Sequence, residues 1–80
     1  WIIQVEGHTD NVPISNNEYP SNWELSVARA IAVARIMIEN DIEPNRINVA
    51  GYGEFRPLVK NEDEISRNKN RRIELKLTQP

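Results

Sequence analysis

The segment SNWELSVARAIAVARIMIEN, residues 21–40, decides the fold. Ser21 stands as an N-cap with Glu24 three residues on, the pattern of a capping box, and the stiff Pro20 precedes it. Val27, Ala30, Ile31, Ala34, Met37 and Ile38 then recur at helical spacing as one apolar stripe with Val33 at its edge, which predicts a helix laid on a sheet. The small Ala30 and Ala34 predict close approach to that sheet. Leu25, Ala32 and Ile36 fall on the side that carries Arg29, so they pack against a second element or border a site. Asn40-Asp41 ends the helix, with the asparagine able to take a left-handed cap conformation. The periodicity assigns Met37 and the alanines to the core rather than to a cofactor box.

Working outward, three segments alternate with period two. Ile3 and Val5 oppose Gln4 and Glu6; Ile47 and Val49 oppose Asn48; Ile73, Leu75 and Leu77 oppose Arg72, Glu74 and Lys76. Such strands predict a sheet with one apolar and one wet face, covered by helices on one side only. Strand, helix and strand from Ile2 to Ala50 form a βαβ unit with a right-handed crossover. A short helix over Asp63 to Asn70 and a last strand from Arg72 to Thr78, antiparallel to at least one neighbour, complete a two-layer α/β (α+β) domain of order βαβαβ.

At 80 residues the chain is a single domain, 1–80, and a domain this small buries little more than about 60% of its unfolded surface, so its core is thin. A net charge of −2 creates no broad field for nucleic acid. Zero cysteines exclude a disulfide framework and a thiolate metal site. No stretch approaches the roughly 20 apolar residues of a membrane span. The chain opens at Trp1 inside a strand pattern, and we read it as a fragment of a longer protein.

Two opposite charges stand out. Asp10 lies just past the first strand, where ligands of α/β sheets usually sit, and Arg29 lies two turns into the helix. A site between them suits a zwitterion, with Asp10 taking an ammonium and Arg29 gripping a carboxylate through its planar fork. The competing arrangement is that Asp10 and Arg29 pair with one another in a surface salt bridge worth about 0–1 kcal/mol.

Four segments in order carry a resemblance over nearly the whole chain: residues 5–11 (VEGHTDN), residues 22–30 (NWELSVARA), Gly51-Tyr52-Gly53-Glu54 with Arg56-Pro57, and residues 70–75 (NRRIEL). Together they resemble the OmpA-like peptidoglycan-binding domain. The stretch Asn11 to Ser26, with a loop of ten residues from Asn11 to Pro20 that Pro13 and Pro20 stiffen, is similar to the MotB-type subunits of flagellar motor stators. The resemblance implies binding of diaminopimelate-containing stem peptides, whose side chain ends in an ammonium and a carboxylate. It implies that Asn22 and Leu25 line the site and that Arg71 adds positive charge or braces Asp10. It further implies an upstream strand and helix, a membrane helix bearing a proton-carrying aspartate, a MotA-like partner subunit, a homodimer, and a place on the periplasmic side of the inner membrane. An outer-membrane or lipoprotein tether related to OmpA and the peptidoglycan-associated lipoprotein is the alternative within the family. A protein-interaction or dimerisation module without wall binding lies outside it.

Other residues carry less. His8 stands between Glu6 and Asp10 at alternate positions, but a lone histidine without a second histidine or cysteine is a poor zinc site, and we expect it to hydrogen-bond locally and hold the loop. No motif places a nucleophile or a carboxylate pair, so neither catalysis nor a cofactor is expected. The basic run Arg67 to Arg72 is offset by Glu62, Asp63, Glu64 and Glu74 and has no interleaved aromatic residue, against a nucleic-acid surface. Gly51-Tyr52-Gly53 lacks the third glycine and following helix of a dinucleotide site and turns the chain instead.

Overall fold

Strand β1 (Ile2–His8) is the middle strand of the sheet in a computed structural model that describes residues 1–79. It is followed by helix α1 (Asn22–Glu39), a 3-10 turn (Pro44–Arg46), strand β2 (Ile47–Gly51), helix α2 (Glu64–Asn70) and strand β3 (Arg72–Thr78). The sheet order is β2-β1-β3, with β1 parallel to β2 and antiparallel to β3. The expected α/β architecture with a mixed sheet is therefore present. No helix among the described residues is long and apolar enough to cross a membrane.

The caps differ from expectation in detail. Ser21 caps α1, but its hydroxyl oxygen accepts from the Trp23 amide at 3.1 Å while the hydroxyl bonds the Glu24 carboxylate, which shortens the capping reach to two residues. The reciprocal capping box occurs on α2, where Asp63 accepts from the Ser66 amide at 2.8 Å and Ser66 Oγ accepts from the Asp63 amide at 2.9 Å. At the far end of α1 the left-handed residue is Asp41, with φ of 71°, one residue beyond the Asn40 that we expected.

The apolar stripe of α1 is corrected by the structure. The residues turned fully inward are Asn22, Ser26, Ala30 and Ala34, whereas Val27, Ile31 and Ile38 are 37–40% exposed on the flank. Two glycines explain this. Gly7 and Gly51 are register partners on β1 and β2, and a Cβ on Gly7 would lie 2.0 Å from the Ser26 carbonyl oxygen. One on Gly51 would lie 2.4 Å from Val27 Cγ2 and 2.6 Å from Ser26 Oγ. Glycines in the sheet opposite small residues in the helix let the first turns of α1 rest on the sheet backbone, so the larger side chains splay sideways. The core is correspondingly slight: Val5, Ala30 and Ala34 are buried, with Ile3, Val33, Met37, Ile47 and Ile73 packed around them.

The far face of the sheet is also not the wet face that alternation predicts. Glu6 and His8 point away from α1 yet are 2% and 3% exposed. Tyr52 stacks on His8 with ring centroids 5.3 Å apart, and Lys76 and Arg72 reach over Glu6 and Glu74. Long neighbouring side chains supply the cover that a helix would otherwise give.

Candidate functional site

Asp10 is held from three directions just beyond β1. Its Oδ1 accepts from the Val12 amide at 3.0 Å, closing a local turn, and its Oδ2 receives Arg71 Nη1 at 2.6 Å. Asn22, at the start of α1, donates Nδ2 to the Asp10 carbonyl at 3.4 Å and to the Val12 carbonyl at 3.1 Å. Thr9 ties the same segment to the Gly53 turn, its amide donating to Gly53 O at 2.9 Å. Asp10 is buried, with its side chain 9% exposed, and its carboxylate is fixed in place.

Arg71 thus pairs with Asp10, and Arg29 does not. The second partner of Arg71 is Glu64 at the start of α2. Glu64 first and Asp10 second push the Arg71 guanidinium above its ordinary value, and Arg71 in turn holds Glu64 below the usual carboxylate range. Arg29 is exposed and makes no ion pair among the described residues. Asn22, Leu25 and Arg29 follow one another three and four residues apart, so they share one flank of α1 that runs from buried through half-buried to exposed. The competing arrangement, a surface pair between Asp10 and Arg29, is absent among the described residues, which instead hold a braced anion and a separate, uncommitted cation.

Sequence reasoning placed Asn70 in a motif and Glu64 among the charges that offset the basic run, but gave neither a role at the site. Asn70 is fully buried and uses both ends of its amide: Oδ1 accepts from the Leu58 and Val59 amides at 2.8 and 3.1 Å, and Nδ2 donates to Val59 O and Asn61 Oδ1 at 2.8 and 2.7 Å. It pins the loop before α2 and thereby sets where Arg71, the next residue, emerges. Arg72 ties down the same corner, donating to the Arg56 and Asn70 carbonyls at 3.1 and 3.4 Å. The loop Asn11 to Pro20 is organised by more than its prolines. Asn16 Oδ1 accepts from the Glu18 and Tyr19 amides at 2.9 and 2.6 Å, an Asx turn.

His8 requires a correction. Neither ring nitrogen has a hydrogen-bond partner among the described residues, so it does not hold the loop by hydrogen bonding. Burial, then the Arg72 guanidinium, pushes its imidazole below the ordinary value. Burial pushes Glu6 up, but bonds from Gln4 and Lys76 outweigh this and hold it below the usual range. Asp10, which the sequence sets beside them, faces Arg71 instead.

The model of the OmpA family matches residues 1–71. The chain belongs to the OmpA family. Among curated members, motility protein B of Bacillus subtilis is 45% identical over 74 residues, covering 91% of this chain and 28% of that protein. The peptidoglycan-associated lipoprotein of Pseudomonas aeruginosa is 38% identical over 74 residues, covering 92% and 42%. The C-terminal domain of Helicobacter pylori MotB superposes with a TM-score of 0.92 at 30% identity, over 99% of this chain and 60% of that one. The cell wall anchor of the type VI secretion system from Pseudomonas aeruginosa gives a TM-score of 0.86 at 38% identity, over 92% and 52%. Strong similarity to MotB C-terminal periplasmic domains thus holds in both sequence and structure, while the OmpA-family chain spans about three-tenths of the length of the motility proteins it matches.

Proposed function

We propose that this domain binds peptidoglycan non-covalently, without cleaving it, and serves as a wall anchor. Asp10 accepts the ammonium and Arg29 the carboxylate of a diaminopimelate side chain, Asn22 and Leu25 line the site, and Arg71 braces Asp10. The observation that carries this reading is the division of charge. Arg71 and the Val12 amide hold the Asp10 carboxylate rigid, and Arg29 stands exposed on the flank of α1 without an ion-pair partner among the described residues. A fixed anion and an accessible planar cation complement a zwitterionic end group at little reorganisation cost.

Similarity to the MotB domains supports the finer reading that the parent protein anchors a flagellar motor stator from the periplasmic side of the inner membrane. In that setting it forms a homodimer and joins a MotA-like subunit through segments outside this chain. Similarity to the peptidoglycan-associated lipoprotein and to the secretion-system anchor favours a second reading, an envelope tether that uses the same site.

The test is co-sedimentation of the domain with purified diaminopimelate-containing sacculi, beside Asp10→Ala and Arg29→Ala variants checked for folding. Binding by the parent and its loss in both variants supports the site. Equal sedimentation of all three rejects the site, and no sedimentation of the parent points to a protein-interaction module.

A further inference from the structure

The sheet face turned away from α1 carries a second cluster, independent of the proposed peptidoglycan site. Register places Glu6 opposite Glu74 and His8 opposite Arg72, while Glu6 and His8, two apart, share one face of β1. One donor atom from each of Glu6, His8 and Glu74 lies within 4.8 Å of the others. His8 Nε2 is 3.6 Å from Glu6 Oε1 and 3.8 Å from Glu74 Oε2. Both separations exceed hydrogen-bonding range, about 2.7–3.2 Å. They lie close to the roughly 3.4 Å between neighbouring donors around a tetrahedral ion bound at about 2.0–2.2 Å.

Three further features favour a ligand there. His8 is 3% exposed with both nitrogens unpartnered among the described residues, a cost that coordination would offset. The Tyr52 ring stacks on the imidazole and fixes its plane. Gln4 Nε2 donates to Glu6 Oε2 at 2.6 Å, which orients that carboxylate from outside the cluster. The Glu74 side chain, 35% exposed, leaves a way in from solvent.

Sequence alone makes a lone histidine a poor zinc site, but antiparallel register adds Glu74 as a third donor, and we propose that Glu6, His8 and Glu74 bind a divalent cation of the zinc class through His8 Nε2 and one oxygen of each carboxylate, clamping β1 to β3. The imidazole favours zinc over magnesium or calcium, which prefer oxygen donors alone. Two protein cations compete for the carboxylates: Lys76 Nζ lies 3.2 Å from Glu6 Oε1 and Arg72 Nε 2.5 Å from Glu74 Oε2. The Lys76 side chain is 53% exposed and free to swing into water when an ion enters.

The chain has one histidine and no cysteine, so His8 is the sole imidazole or thiolate donor and its NMR signals report the site directly. The chelator-treated chain is titrated with Zn²⁺ and, separately, Mg²⁺, following the His8 ring resonances and the unfolding temperature. The expected result is one equivalent of Zn²⁺ that shifts the His8 ring signals and raises the unfolding temperature, with Mg²⁺ doing neither. Glu74→Gln, at a partly exposed position, removes a direct ligand and weakens binding by more than the roughly tenfold that loss of an outer-shell partner costs. Lys76→Ala tightens it, because a competitor for Glu6 is gone. Unmoved His8 signals, equal Zn²⁺ affinity in the parent and Glu74→Gln, or an equal response to Mg²⁺ overturns the proposal.

Discussion

Asn70→Ala is expected to cost more than any exposed substitution, because one fully buried amide makes four hydrogen bonds. Two are accepted from backbone amides at Leu58 and Val59, and the other two are donated to Val59 O and Asn61 Oδ1. A net value of about 0.5–1.5 kcal/mol per bond, set against partial rescue of the exposed loop groups by water, gives a loss of about 2–4 kcal/mol. For a domain of this length each kcal/mol moves the unfolding midpoint by about 4–8 °C, so the midpoint falls by at least about 8 °C. Asn70→Asp keeps the two accepting contacts and loses both donations, bringing a carboxylate against Val59 O and Asn61 Oδ1; it falls between parent and alanine only if the accepted bonds carry most of the stability. Urea unfolding followed by circular dichroism, at fixed pH and salt, provides the free energies. A change below about 0.5 kcal/mol for Asn70→Ala, within the range of ordinary surface substitutions, would show that these four bonds do not hold the loop.

Gly7→Ala places a methyl 2.0 Å from the Ser26 carbonyl oxygen and is expected to destabilise by at least about 1–3 kcal/mol in the same urea assay. Gly53→Ala, at φ of 60° with its nearest neighbours 3.5 Å away, costs only the left-handed backbone penalty of about 1–2 kcal/mol. Arg71→Lys cannot span Asp10 and Glu64 with a planar fork, so it weakens both folding and peptidoglycan binding, whereas Arg29→Lys leaves the urea midpoint unchanged and weakens binding alone. The carboxylates of Asp63 and Glu64 are held below their ordinary values of 3.8 and 4.5, the first by Ser66 and the second by Arg71. The unfolded chain therefore takes up protons first on acidification; their stabilisation is complete above those values and is lost as pH falls below them through the lower values of the folded state. A Glu64→Gln variant is expected to show a flatter urea midpoint as pH falls below the ordinary glutamate value of 4.5.

What was legible in the sequence follows from which constraints are local. Alternation at Ile3 and Val5, the start of α1 at Ser21 and the bounds of β3 are properties of neighbouring residues, and the structure holds them. The inward row of α1 was misjudged because hydrophobicity favoured Val27 and Ile31 over Ser26. The deciding constraint sits on other strands, where Gly7 and Gly51 admit only small residues. A row of small residues four apart, Ser26, Ala30 and Ala34, was the available signal. At the site, Asp10 and Arg29 could be singled out by type and position, yet their separation into a braced and an uncommitted charge depends on Arg71, 61 residues along the chain from Asp10. Likewise the carboxylate that joins Glu6 and His8 is Glu74, set by antiparallel register, and not Asp10, set by adjacency in sequence.

Whether Asp10 and Arg29 divide a zwitterion between them is tested by calorimetric titration with two stem peptides that differ at one residue. One carries diaminopimelate; the other carries lysine, which keeps the ammonium and lacks the terminal carboxylate. The parent domain is expected to bind the diaminopimelate peptide more tightly, Arg29→Ala to lose that preference, and Asp10→Ala to lose both peptides. Equal affinity of the parent for the two peptides, or a preference that survives in Arg29→Ala, would contradict this division.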